Sequence, residues 1–373
     1  MNNIFSIICM LFALAGCQTS NDETYRAQQA SAPQLKEAFS EPIALSARKL
    51  SFSDDGRYFI LADSHNQVGV FNSGSREALV TLQWPTTLNM IQGAGFIDPD
   101  RYFYAVNKMV DKPTPHNVSI REVGAEQDQY YYEFEGNHGD RPIFANSSYV
   151  AYGDEMVNWH TGEKYAVRTA HQLNPRDYTL TASGRVLSSN YYSDEILLHA
   201  PLTDDYLWID SGLSNFRSGI TPSERYIIAQ AYDGGCRVWP VPALKPVQSC
   251  GRGGWSDADH ANIAMHPSDD SFVASAGGRV EAYRLVEGVH QQVFARTLPN
   301  AVTSLALSAN HRVALGDSTG HIEVWDTELG TLLGQVDLQL DPGGHLLAFA
   351  PSGKQLLYGG ASDFKVHLFD IPE

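Results

Sequence analysis

The segment GGWSDADHANIAMHPSDD brings Asp257, Asp259, His260 and His266 close together in sequence. Carboxylate oxygens and imidazole nitrogens form the donor set of hard and borderline divalent cations. A metal would need both imidazoles to converge on one point. His260 falls near the start of an expected strand and His266 at the turn that ends it, so the two rings point apart. The expectation is an ordinary polar loop, with no metal and no cofactor. The acid pairs Asp54-Asp55, Asp204-Asp205 and Asp269-Asp270 could do acid–base work only if both carboxyls faced one substrate. Adjacent residues of a turn or strand project to different sides, and these pairs recur at equivalent turns, which makes them turn formers. No Gly-x-Ser-x-Gly nucleophile motif and no phosphate-binding glycine loop occurs.

The N-terminus carries chemistry of another kind. In MNNIFSIICMLFALAGCQTS the apolar run Ile4 to Ala15 is too short to span a bilayer but has the length of a signal-peptide core. It ends in Leu14-Ala15-Gly16-Cys17, which resembles the lipobox of bacterial lipoproteins, although no Lys or Arg precedes the run. The resemblance implies a signal peptide over 1–16, cleavage before Cys17, and acylation (palmitate or a similar chain) of the Cys17 thiol and the new amine. Gln18 stands where an Asp retains such proteins in the inner membrane, so the resemblance implies the outer membrane, facing the periplasm. Residues 17–33 are polar and poor in large apolar groups and read as a flexible tether. About sixteen such residues reach roughly 20 Å.

The remaining chain, 34–373, has core material for one large domain: 43% of all residues are hydrophobic and 18% charged. No later apolar run is long enough to cross a bilayer. The formal net charge of −17 argues against nucleic acid as a partner, because phosphate binding needs clustered Lys and Arg.

The elements that must position any site are set by a repeat. FSDDGRYFILA at Phe52 returns as FIDPDRYFYAV at Phe96, FANSSYVAYG at Phe144 and LTASGRVLSS at Leu180. ITPSERYIIAQ at Ile220, MHPSDDSFVAS at Met265, LSANHRVALG at Leu307 and FAPSGKQLLYG at Phe349 complete the series. Each copy is a strand, a turn of Ser, Asp, Pro and Gly, and a second strand. A third strand follows (QVGVFN, NVSIRE, MVNWHT, ILLHAP, CRVWPV, VEAYRL, IEVWDT, VHLFDI), and then a fourth, as in REALVTLQ, QQVFARTL and GTLLGQVD. Four short strands per unit of about forty residues, in tandem, define an all-β propeller. Ile322-Glu323-Val324-Trp325-Asp326 and Gly344-His345 resemble the ending and opening of WD repeats, and Asp233 and Asp363 stand where that family often has its turn Asp. Most copies lack one or more of these marks.

Eight third strands predict eight blades, or seven if the third copy is irregular. The last blade has only three strands before the chain stops, so Gln34 to Pro42 is expected to supply its outer strand and close the ring. In the fifth blade a hairpin centred near Ala243 sets Cys236 opposite Cys250, which predicts a disulfide in an exported protein. Two buried thiols are the alternative.

For function, the second blade carries an insertion, Asn107 to His116, that includes Lys108, Met109, Val110, Asp111 and Lys112. The resemblance to WD repeats implies that it lies on the same face as the linking loops that hold Trp84 and Trp255. Loop aromatics are favoured interface anchors, although Trp84 and Trp255 would equally serve as plugs between blades. Tyr130, Tyr132 and Phe134 share one face of an outer strand, expected to pack rather than bind. The reading is a membrane-anchored scaffold that binds another envelope protein. The alternative is a propeller enzyme, a lactonase-like hydrolase working at the central channel.

Overall fold

The computed structural model describes residues 32–372 apart from 43–46, 64–66, 85–88, 109–115, 135–142, 170–176, 190–193, 213–214, 232–234, 244–245, 247, 251–261, 287–288, 339–344 and 361–364. β1 (Lys36–Pro42) is followed by the first blade, β2 (Ala47–Phe52), β3 (Tyr58–Asp63), β4 (Gln67–Asn72) and β5 (Ala78–Gln83). The second blade is β6 (Asn89–Asp98), β7 (Arg101–Lys108), β8 (His116–Glu122) and β9 (Tyr130–Phe134). The third is β10 (Ile143–Ala145), β11 (Tyr149–Tyr152), β12 (Glu155–Asn158) and β13 (Lys164–Ala166). The fourth is β14 (Asp177–Leu180), β15 (Val186–Ser189), β16 (Glu195–Ala200) and β17 (Asp205–Asp210). The fifth is β18 (Asn215–Ile220), β19 (Tyr226–Ala231), β20 (Cys236–Pro240) and β21 (Gln248–Cys250). The sixth is β22 (Asn262–Met265), β23 (Ser271–Ala276), β24 (Arg279–Val286) and β25 (Val289–Thr297). The seventh is β26 (Val302–Leu307), β27 (Arg312–Asp317), β28 (His321–Asp326) and β29 (Thr331–Asp337). The eighth holds β30 (His345–Phe349), β31 (Gln355–Gly360) and β32 (Lys365–Asp370).

Each blade is a four-stranded antiparallel sheet, and in the eighth the order is β1-β32-β31-β30. The strand before the first repeat therefore completes the last blade, as the sequence predicts. Lys36 pairs with Asp370 and Pro42 with Lys365. Upstream, the chain also bridges to the seventh blade: Leu35 N–H donates to the Gln335 carbonyl (2.8 Å) and Gln335 N–H to that of Pro33 (3.1 Å). Leu35 is buried there. The third copy is short but regular, with all four strands paired in register, so the ring has eight blades.

The burial of each strand follows from its radius in the ring. A middle strand has a neighbouring blade on both faces, so its sequence is a continuous apolar run: every residue of YIIAQA in β19 is buried. An outer strand such as β5 (ALVTLQ) alternates, because one face meets water. The core is correspondingly divided into eight clusters, one in each seam between successive blades. Tyr130, Tyr132 and Phe134 pack into the seam between blades two and three, beside Tyr152 and Trp159. Tyr131 points outward.

Candidate functional site

Among the described residues, one group of His, Cys, Asp and Glu side chains comes within metal-ligating reach: His266, Asp269 and His311, whose donor atoms lie within 4.8 Å of one another. They sit on turns that join first to second strands in blades six and seven. Asp257, Asp259 and His260 lie outside the described residues. His266 is thus brought to partners the sequence does not place beside it.

The tautomer of His266 decides what this group can do. Its Nδ1 accepts the backbone N–H groups of Ser268 (3.2 Å) and Asp269 (3.0 Å), so the proton resides on Nε2. Four other blades use a hydroxyl at this repeat position. Ser53, Thr181, Thr221 and Ser308 each accept a backbone N–H from further along their own turn. His266 is therefore a turn cap, and a cation would have to displace two backbone bonds to reach its lone pair. Burial lowers the pKa of the His266 imidazole, and the Asp269 carboxylate only partly offsets this. The ring stacks on His311 at 4.5 Å between centroids. Arg284 already donates to Glu328 (2.6 Å), which lies 3.9 Å from His311 Nε2. The group ties blades six and seven together.

The paired acids are similarly occupied. Asp55 accepts from Ser53 and Arg57. Asp270 accepts from Ser223 and Arg225 of the preceding blade. Asp204 takes two bonds from Arg168 (2.9 and 2.6 Å) and accepts from His199 Nε2 at 3.2 Å. The Arg168 guanidinium, then His199, hold the Asp204 carboxyl below its ordinary pKa. His199 Nδ1 accepts Arg168 N–H, and burial lowers the pKa of this imidazole. Two third strands also bury a carboxylate between a cation and an aromatic donor. Glu323 joins His321 (3.2 Å) and Trp325 Nε1 (2.7 Å), and Glu281 joins Arg279 and Tyr283 Oη.

The fourth blade exposes the most notable apolar surface. Leu202, Tyr206 and Trp208 are 46%, 56% and 42% exposed. Tyr206 and Trp208 share one face of β17, opposite Leu207 and Ile209, which pack toward the fifth blade. Leu202 and Tyr206, but not Trp208, also line a groove of about 550 Å³ on the side of the fifth blade, with Ser183, Arg185, Leu207, Val241 and Pro242. Sequence reasoning does not single out DYLWID; the only signal in it is the alternation of an outer strand.

Of the residues expected to meet a partner, Trp84 is half-buried in the seam between blades one and two, its ring 5.3 Å from that of Tyr104. Lys108 ends β7. Met109, Val110, Asp111, Lys112, Trp255 and Cys17 lie outside the described residues, as do Asp233, Asp363 and Gly344. Cys236 is buried and its Cα partner across the β20–β21 hairpin is Cys250.

The fold defines the class: an eight-bladed β-propeller. No family model and no curated protein matches the sequence. Among solved structures, the chain is similar to the computationally designed Ika8 protein, with TM-score 0.67 and 19% identity over 89% of this chain and 98% of that one. It is also similar to Raptor of Chaetomium thermophilum, with TM-score 0.62 and 12% identity over 92% of this chain, which spans 29% of the Raptor chain. At these identities the likeness shows the fold alone.

Proposed function

We propose that this protein is a lipid-anchored scaffold of the bacterial cell envelope, a degenerate WD-like propeller that binds another envelope protein. The observation that carries the binding reading is the apolar surface of the fourth blade. Leu202, Tyr206 and Trp208 stand exposed on a rigid, closed ring, where aromatic groups make strong anchors. The anchor reading rests on Leu14-Ala15-Gly16-Cys17 and on the polar stretch that follows it. Lipid on Cys17 then holds the disc at the periplasmic face of the outer membrane. Where the chain becomes bonded supports this arrangement, because Pro33 and Leu35 are fixed on the rim of the seventh blade.

The linking-loop face, with Trp84, Lys108 to Lys112 and Trp255, supplies a second set of partner contacts. In an oxidising compartment Cys236 and Cys250 form a disulfide, which their opposed positions in the hairpin favour. The test is crosslinking in intact cells followed by affinity purification and mass spectrometry. A stoichiometric envelope protein is expected with the lipidated chain, lost on Cys17→Ser. Recovery of the lipidated chain alone would overturn the scaffold.

A further inference from the structure

The outer strands of blades three and four leave a notch between them, where Tyr206 and Trp208 stand exposed. The outer strand of blade three, β13, has three residues against six in β17 of the next blade. The cluster that fills the seam between them consists of Ala151, Met156, Val167, Tyr178 and Val186, with partly buried Phe144, Tyr149, Tyr165 and Leu180 around it. Among the described residues this cluster takes none from β16 or β17, although Leu197 and His199 of β16 are buried on this side and Arg168 N–H bonds to His199. On the other side of blade four, Ile196, Leu198 and Ile209 are fully packed against the fifth. The face of β17 that carries Tyr206 and Trp208 is turned toward the third blade and stays exposed, as the equivalent faces of β5 and β9 do with Leu79 and Tyr131. Arg168, just beyond β13, reaches over the Tyr206 ring at 5.0 Å but leaves Trp208 open. Beside this face, β13 presents a free sheet edge.

We propose that the notch takes an extended segment of a partner protein. The segment runs along the free edge of β13, bonds to it through the backbone, and lays apolar side chains on Tyr206 and Trp208. This is strand addition, in which edge hydrogen bonds give affinity and alternate side chains give specificity. Charge selects the occupant. Asp205 and Asp210 stand exposed at the two ends of β17, on a chain of formal net charge −17, while Lys164 and Arg168 of the third blade are already paired with Glu155 and Asp204. The matching segment has Lys or Arg on either side of its apolar residues. A second copy of this chain would set two strongly acidic surfaces against each other. The chain N-terminal to Pro33 enters at the seventh blade, on the far side of the ring. The proposal rests on the scaffold reading and states which surface is used and by what kind of segment.

The experiment places benzoyl-phenylalanine at Tyr206, at Trp208 and, as a rim control, at Leu79 of β5, in the lipidated full-length protein in cells. Photocrosslinking at the first two positions is expected to join one partner segment, which peptide mapping shows to be apolar with flanking Lys or Arg. Leu79, also exposed, gives no such adduct. The double variant Asp205→Lys and Asp210→Lys lowers the yield about tenfold or more, because like charges across an interface cost several kcal/mol. Should that variant melt at a lower temperature, Asp205→Asn with Asp210→Asn takes its place. An adduct with a second copy, an acidic segment, equal yield at Leu79 or no adduct at all each overturns the proposal. Absence of an adduct while affinity purification still returns a partner leaves the scaffold standing on another face. Absence of both removes the two readings together.

Discussion

The carboxylate of Glu37 is bonded to Nδ1 of His367, joining residues 330 positions apart. This contact lies on the strand pair that closes the ring. Two residues on, Phe39 sets its ring edge-on to Phe59 (6.0 Å) and Phe71 (5.9 Å), so β1 also covers the seam between blades eight and one. Deleting 33–42 uncovers both that cluster and the edge of β32. The truncated chain is expected to elute as oligomers in size-exclusion chromatography, since a long unpaired edge templates association. Phe39→Ala keeps the strand and should cost about 2 kcal/mol in urea unfolding, the lower part of the range for a large-to-small change because Phe39 is only half-buried.

His321 and Asp317 give stability opposite pH dependences. The hydrogen bond to Glu323 raises the folded pKa of His321 above its ordinary 6.5, against the cost of burial. Its contribution is fully present below pH 6.5 and is lost as pH rises through the folded value. Asp317 is pushed up by burial, but bonds from Asn300, Thr319 and His321 N–H outweigh this and hold it below 3.8. Its contribution is present above 3.8 and is lost as pH falls through the lowered value. Urea unfolding of His321→Gln should therefore show a larger deficit against wild type at pH 5.5 than at pH 8.5. For Asp317→Asn the deficit should shrink as pH is lowered from 5 toward 3.

The hairpin of blade five makes a redox prediction. Under the proposed lipidation Cys9 leaves with the signal and Cys17 is acylated, so that of the four cysteines Cys236 and Cys250 remain. Thiol labelling of unreduced, denatured mature protein is expected to add no label, and labelling after reduction to add two. Replacing both by Ser should cost roughly 3 kcal/mol, the chain-entropy value for a loop of about 15 residues. Two labels before reduction would remove the disulfide.

Metal makes no expected difference to the His266 group. Equimolar zinc or prior chelation should leave the melting temperature unchanged, because the lone pair on Nδ1 is held by two backbone N–H groups. A rise of several degrees with zinc, abolished by His311→Ala, would show that the turn opens to admit the ion.

The blades and their closure were legible because turn chemistry repeats about every forty residues and because the last copy lacks a fourth strand. Cys236 and Cys250 were placed opposite each other by counting across one hairpin. What sequence missed depends on contacts between blades. His266 invites grouping with Asp257, Asp259 and His260, yet its ring stacks on His311, one repeat later and on the equivalent turn. Trp84 reads from sequence equally as an anchor or as a plug between blades, and its ring, 5.3 Å from that of Tyr104 in the seam, fits the plug. Tyr206 and Trp208 lie on the face of β17 opposite the seam with the fifth blade, and that face is exposed as it is in the outer strands β5 and β9.

The central claim is that the protein works as part of a complex, and its native mass tests this most directly. Protein solubilised in mild detergent from the cells that make it, without overexpression, would be weighed by mass photometry or native mass spectrometry. A particle heavier than the lipidated monomer is expected, with one further envelope protein in fixed ratio. Monomer mass under conditions that keep other envelope complexes intact would contradict the scaffold.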